Sequence, residues 1–500
     1  MDISPLGVLR AVIPELPRIV AAVGVALLRI FSFDRKWPQD FITNIIVIFS
    51  RPVLGTPASI LKAQGQWNTD FGIWGPMWIS KVEYPKPEDY SEGEESVLGV
   101  KEAVTKAIRH LGNGISNEIA SEVASVEAEW TGYRSGAFFF QPRPNLSEKE
   151  HYEKMMDEIG VDSPTILFFH GGAFCLMDPS SHRLTTPFLA KECKGRCLSV
   201  RFRLSPQHAF PAALQDAFVA YLSLLSPPPG AFHQPVSPSR ILIAGDSSGA
   251  SLGSSLTLLL MTLRRLNVTH IRFHGKDVDI TGSTNDPSGK PLPPVAGLTV
   301  VSPYLDVSRS FPSVYRNAQW DILASPPTHG IPCPEFPPDA IWPANPPRIE
   351  TYCESKLVIH PLVSPVAAKP SDWEGAPPVF VNVGWELMQD EAEVFARRLS
   401  AGGAKVVFDG YEGMPHCFQM MRWSWQGRRS LKNWGKFCRD AVNGTVAEQD
   451  YATWTTRFNV VKKLPLADLA KEVDEDVVDE LLVEQRDRRI LLEKELRQKP

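Results

Sequence analysis

Ser247 stands in Gly245-Asp246-Ser247-Ser248-Gly249, directly after an apolar strand expected over 241–244 and directly before a long apolar helix expected over 248–266. A sharp strand-to-helix turn of this G-x-S-x-G kind exposes the serine hydroxyl, and its two glycines let the helix and the neighbouring strand approach closely. The start of a helix also favours negative charge forming beside that serine. Acyl transfer through a tetrahedral intermediate further requires hydrogen-bond donors aimed at the developing oxyanion. His170-Gly171-Gly172-Ala173-Phe174 follows an apolar strand expected over 165–169, and the backbone N–H groups of Gly171, Gly172 and Ala173 are candidates for that task. The N–H of Ser248, one residue after the nucleophile, completes the set.

A serine hydroxyl is a weak nucleophile without a base. Two histidines lie well downstream of these segments. His360 precedes a proline in a proline-rich stretch and reads as structural. His416, in Gly413-Met414-Pro415-His416-Cys417-Phe418, follows a strand expected over 405–408, on a loop where a base can swing over Ser247. An acid must then reach the far ring nitrogen to fix the tautomer and stabilise the imidazolium. After the strand expected over 379–383 come Gly384-Trp385-Glu386-Leu387-Met388-Gln389-Asp390-Glu391. Glu386 is nearest the strand end and is the first candidate. Asp390, one helical turn on and expected to face the same side, is the alternate. Glu391 reads as a solvated face residue.

The elements that must position these groups alternate strand with helix, the pattern of an α/β protein with a largely parallel sheet. Besides those named, strands are expected over 197–202 and 297–301 and a helix over 212–225. In such sheets, sites gather outside the carboxyl ends of the strands, where all the candidates above lie. A chain of 500 residues leaves room for added terminal segments around one core. With 52 Lys+Arg against 57 Asp+Glu there is no basic field to hold a phosphate backbone, so no nucleic-acid partner is expected. Seven cysteines make no disulfide framework, and Cys193 and Cys197 read as reduced structural thiols. No metal or organic cofactor is implied.

Together these segments resemble the hormone-sensitive-lipase-like and arylacetamide-deacetylase-like family of α/β-hydrolases. The likeness covers roughly 165–418: HGGAF matches the family's HGG-type motif, GDSSG its GDSAG elbow, and His416-Cys417-Phe418 its H-x-F ending. Arg203-Leu204-Ser205-Pro206, Phe210-Pro211-Ala212-Ala213 and Asp216 are similar to its YRLAPE, FPAA and following aspartate. The family's D-x-L-x-D pattern has Glu386 in place of its first acid and Asp390 as its second. The third glycine of HGGG is Ala173. In layout the chain looks closest to fungal membrane-associated, steryl-acetate-deacetylase-like members, with a proline-rich stretch over 336–347.

The resemblance implies an α/β-hydrolase fold: a mostly parallel central sheet flanked by helices, with a helical cap from the N-terminal segment and an insertion before the acid strand. The implied division is a membrane-associating and cap segment over 1–110, a catalytic domain over 111–445 with its cap insertion at about 306–365, and a charged helical tail over 446–500. Trp67, Phe71, Trp74 and Trp78 upstream, with Trp320, Phe336 and Trp342 in the insertion, are expected to form an aromatic roof suited to neutral, hydrophobic esters. The implied activity is that of a serine carboxylic-ester hydrolase of esterase, lipase or deacetylase type, acting on a small-molecule ester through an acyl-enzyme. An acyltransferase with the same triad and a non-catalytic binding protein on the same fold are the alternatives.

The apolar runs over 19–28 and 41–49 fall short of the about 18 residues that argue for a spanning helix. Residues 6–50 therefore read either as a membrane-seeking helix or uncleaved anchor, or as a cap helix. Sequons at Asn145, Asn267 and Asn443 suit a lumenal domain. The expected location is a membrane, with the endoplasmic reticulum as one candidate and the cytoplasm as the alternative. The oligomeric state is left open.

Overall fold

Alternate residues of the central strands serve two different cores, which is why their sequences are apolar without a polar face. In the computed structural model, Leu167, Phe169, Ile243, Val379 and Val381 face one core. Their neighbours Ile166, Phe168, Leu242, Ala244 and Phe380 face the other. Strands covered on both sides belong in the middle of a parallel sheet. The structure describes residues 3–31, 37–88, 97–112, 121–160, 162–281, 293–325 and 336–498. Parts of the expected N-terminal stretch (32–36) and of the expected insertion (326–335) lie outside the described residues.

Twelve strands form among the described residues: β1 (Met77–Tyr84), β2 (Val126–Tyr133), β3 (Thr165–Phe169), β4 (Arg196–Arg201), β5 (Ile241–Asp246), β6 (His270–Phe273), β7 (Lys276–Asp279), β8 (Gly297–Val301), β9 (Val379–Gly384), β10 (Val406–Tyr411), β11 (Tyr451–Thr455) and β12 (Val461–Pro465). β6 and β7 make a separate hairpin. The other ten form one sheet in the order β1-β2-β4-β3-β5-β8-β9-β10-β11-β12. Neighbours from β4 through β11 are parallel. The pairs β1–β2, β2–β4 and β11–β12 are antiparallel. Helices Ala212–Leu225 and Ser248–Arg265 cover one face, and Thr186–Cys193 and Trp425–Val442 cover the other. Cys193 and Cys197 are buried in that second layer beside Cys438.

The pairing register brings the carboxyl ends level. Phe169 pairs with Gly245, Asp246 with Val301, and Gly384 with Tyr411. The segments that follow β3, β5, β8, β9 and β10 therefore emerge side by side. Against them pack α2 (Phe41–Gly55), α3 (Ile60–Trp67) and the chain between β8 and β9, and α1 (Pro5–Phe31) lies against α2. These layers are joined by polar contacts. Leu61 N–H donates to the Asp339 carboxylate at 2.8 Å, and the Gln64 side chain donates to the carbonyls of Cys175 and Ser205.

The chain departs from its expected layout at both ends. β1 lies inside the stretch read as membrane-associating and cap, and supplies the sheet's first edge. Trp78, expected in the roof, sits on that strand, where its indole donates to Glu158 at 2.7 Å. The segment from 446 is not only a helical tail, because β11 and β12 extend the sheet by two strands. β12 is an exposed edge strand carrying Lys462 and Lys463, a composition that blunts edge pairing and hides the strand in a charged sequence. The last helix, Glu475–Gln498, does not hold all its charges in solvent. Arg489 is buried against Glu350 at 2.7 Å, and Glu493 accepts the Ser355 hydroxyl at 2.6 Å. Pairing makes that burial tolerable.

Candidate active site

β5 ends in Asp246 and the next helix starts at Ser248, so Ser247 must turn the chain with no intervening loop. It does so at φ 51° and ψ −125°, a region that L residues rarely occupy. The turn survives because its neighbours leave no room to relax. A Cβ on Gly249 would lie 2.0 Å from the carbonyl oxygen of Phe169, so only glycine lets the helix start press against the end of β3. The Ser247 N–H donates to Val301 O and its carbonyl accepts from Tyr304 N–H, both at 3.1 Å.

His416 arrives on the loop after β10. Its Nε2 is 3.0 Å from Ser247 Oγ, and its Nδ1 is 2.5 Å from Glu386 Oε2. With the Nδ1 proton donated to the carboxylate, Nε2 is left as an acceptor facing the serine hydroxyl. Glu386 is fully buried. Its other oxygen accepts from Ser302 Oγ at 2.7 Å and from Gly384 N–H at 3.0 Å, so the carboxylate is aimed at the ring from both sides. Burial opposes the imidazolium, but the contacts with Cys417 and Glu386 overcome it and hold His416 well above the ordinary imidazole range. Burial pushes the Cys417 thiol up to about 12, and the neighbouring imidazole opposes that rise.

The alternate acid is placed elsewhere. Asp390 accepts the Ser313 N–H at 2.9 Å and pairs with Arg316, which fastens the chain after β8. The helix expected to put both acids on one side begins only at Gln389, so Glu386 lies in the preceding turn and the two point differently. Glu391, read as solvated, is buried and accepts the Leu305 N–H at 3.1 Å. His360 is buried with Nε2 3.0 Å from Ile108 O, a structural position.

The oxyanion donors differ from expectation at one residue. Among the described residues, the N–H groups of Gly172, Ala173 and Ser248 donate to no protein acceptor. Gly172 turns the chain at φ 112°, where a Cβ would strike the Leu176 carbonyl. Gly171 is not available in the same way, because its N–H donates to Asp246 Oδ1 at 3.1 Å. Asp246 Oδ2 is in turn 3.1 Å from His182 Nε2. This buried bond ties the glycine loop to the serine turn. Its partner comes from 75 residues away, beyond the reach of local sequence.

Ser302 is a functional residue that motif reading misses. It follows β8 directly, donates to Glu386 and accepts the Cys417 N–H at 2.9 Å, so one hydroxyl spans the acid and the base loop. Its place just past a strand's carboxyl end is the only sequence signal for it. Of the expected roof, Trp320 packs edge-on to Trp37 at 4.6 Å between ring centres and lies 6.4 Å from Trp385, beside Glu386. Trp67 and Phe336 pack instead around Cys175 and Leu176, and Trp74 against Phe139 and Phe140.

A family model described as the alpha/beta hydrolase fold matches residues 166–420, half of the chain. An acetyl-hydrolase of Streptomyces hygroscopicus is 28% identical over 289 residues, covering 56% of this chain and 77% of that protein. An esterase of Acinetobacter venetianus is 28% identical over 274 residues, covering 54% and 73%. Among solved structures, a hormone-sensitive lipase from a metagenome library aligns over 70% of this chain and 94% of its own, with 24% identity and a TM-score of 0.43.

Proposed function

Because this chain belongs to the α/β-hydrolase fold family and is a carboxylic-ester hydrolase, we propose that Ser247 is its nucleophile, His416 its base and Glu386 the acid that orients the base. The observation that carries this reading is the unbroken path from Glu386 through His416 to Ser247 Oγ, with contacts of 2.5 and 3.0 Å. Ser247 Oγ attacks the ester carbonyl carbon as His416 Nε2 takes the hydroxyl proton. Glu386 stabilises the imidazolium that results. The N–H groups of Gly172, Ala173 and Ser248 receive the oxyanion, with Gly171 holding the loop rather than donating to it. Collapse of the intermediate expels the alcohol, protonated by His416, and leaves an acyl-Ser247. Water, activated by the same imidazole, releases the acid and restores the serine.

The substrate is a neutral ester of a hydrophobic alcohol with a short acyl group. Support comes from the Trp37, Trp320 and Trp385 rings clustered next to Glu386 and from the relative named acetyl-hydrolase. Purified protein assayed on acetate, butyrate and long-chain esters of one alcohol, with an active-site serine probe in parallel, tests it. The expected result is probe labelling at Ser247 and the highest kcat/KM on the acetate or butyrate ester. No turnover on any ester overturns the reading.

We infer also that α1 seats the enzyme on a lipid surface. Leu6, Leu9, Ile13, Leu16 and Val20 are exposed at alternating spacings of three and four, one continuous stripe, while Ala11 and Ile19 face inward. Among the described residues no helix is long and apolar enough to cross a membrane, and an exposed apolar stripe along one helix suits contact in the plane of a lipid surface. Flotation with phosphatidylcholine vesicles is expected to carry the protein and to lose the Leu9→Asp, Ile13→Asp variant, with turnover of a soluble acetate ester unchanged. Equal flotation of both proteins, or none of either, removes the inference.

A further inference from the structure

The loop bearing His416 and the turn bearing Glu386 are clasped by one buried carboxylate that belongs to neither. Asp321 lies in the chain between β8 and β9 and is fully buried. Its Oδ1 accepts the backbone N–H of His416 at 3.0 Å, and its Oδ2 accepts that of Leu387, next to Glu386, at 2.8 Å. The N–H of Leu323 closes its own turn on Oδ1 at 3.2 Å. From the other side, Arg51 of α2 donates to the Asp321 carbonyl at 3.2 and 3.3 Å. The Gln39 side chain donates to the carbonyls of both Trp320 and Gly413 at 2.8 Å. The cap is thus tied through Asp321 to the backbone of the base and the acid.

Resting on the reading of Ser247, His416 and Glu386 above, we propose that Asp321 is a positioning residue for the ester-hydrolysis reaction, holding His416 and Glu386 at reacting distance and adding a second negative charge near the imidazolium. A carboxylate removed from water is costly unless it is matched by donors or by positive charge. Here backbone donors from both loops supply the match, together with the positive charge that His416 acquires during turnover. The ionisable groups facing His416 are Glu386 from the end of β9, Asp246 from the end of β5, Cys417 from its own loop and Asp321 from the cap, with Arg51 behind Asp321. Burial raises the Asp321 carboxyl and the nearby imidazole opposes that rise, as expected of a charge that responds to His416. Ser302 makes the corresponding clasp from the sheet side, so the two loops are held from below and above.

The test uses the full chain, with Asp321→Asn and Asp321→Ala beside wild type and Ser247→Ala. Asparagine keeps one acceptor but turns an amide N–H₂ toward a backbone donor and removes the charge; alanine removes both clasps. The expected result is a fall in kcat of about 100-fold for alanine, the scale of a roughly 1 Å misplacement, and a smaller fall for asparagine, with KM little changed. In both variants the acid limb of kcat/KM moves to lower pH, because a negative charge beside the imidazolium is gone. A role confined to stability gives a lower Tm and a smaller fraction of protein labelled by the serine probe, while the labelled fraction keeps wild-type kcat and the wild-type limb. That outcome overturns the proposal, as does unchanged kcat in Asp321→Ala. Turnover surviving in Ser247→Ala defeats the nucleophile assignment instead, so the two failures are told apart.

Discussion

Ser247→Ala is expected to lower kcat for ester hydrolysis by a factor on the order of 10⁶, the scale set by nucleophile removal in serine hydrolases. The loss falls on chemistry and not on the fold. Among the described residues the hydroxyl has a single hydrogen-bond partner, His416 Nε2, and alanine keeps the Cβ and every backbone bond of the turn. The strained φ of 51° is as hard for alanine as for serine, so the substitution changes that cost little. Thermal unfolding is therefore expected to match wild type, and substrate or product still binds. The check is kcat on an acetate ester beside a melting curve. Undiminished turnover in a folded variant removes the mechanism.

Glu386→Gln has the second largest expected effect, a fall in kcat of about 10⁴-fold, as for other triads whose acid is made neutral. A glutamine in that place confronts donors on both sides. Ser302 Oγ and Gly384 N–H both need an acceptor at one oxygen, so the amide nitrogen is driven toward His416 Nδ1 and favours the wrong tautomer. The pH dependence gives an independent readout. Hydrolysis needs His416 neutral in the free enzyme, and its pKa lies well above the ordinary imidazole value. Activity is therefore lost as pH falls through that raised pKa, and the acid limb of kcat/KM lies above about 6.5, the unperturbed histidine value. Removing the Glu386 charge lowers the pKa, so residual activity extends to lower pH. Asp390→Asn is the contrast. It weakens the hold on Arg316 and Ser313, with a lower Tm and kcat near wild type. If Asp390→Asn costs more in kcat than Glu386→Gln, the acid role passes to Asp390.

The serine turn is legible in sequence because its signal is local: a strand, a turn and a helix within a few residues, with glycine where contact forbids a Cβ. The apolar strands are legible for a related reason, since burial on both faces leaves no polar alternation to confuse with helix. Spacing does not separate Glu386 from Asp390, because the comparison assumes a helix through both and the helix starts between them. Gly171 looks like an oxyanion donor until Asp246, distant in sequence, occupies its N–H. Ser302 and Asp321 are single polar residues without periodicity. Their importance lies wholly in which loops they join. β12 is hidden by its own lysines, an edge strand that reads as solvated coil.

Five neighbouring strands each deliver one part of the reacting centre from a separate loop, while the scaffold beneath is closed on both faces. Loops mounted this way accept exchange without disturbing the platform, so the span between β8 and β9 is the natural place to redesign substrate choice by grafting. The clasp at Asp321 limits that freedom. A transplanted segment must arrive with an acceptor pair at the same point, or the new pocket sits above a triad no longer held in place. Remodelling of the insertion must therefore keep Asp321, together with the Ser313 and Arg316 contacts to Asp390 and the Asn317 bond to the Glu386 carbonyl.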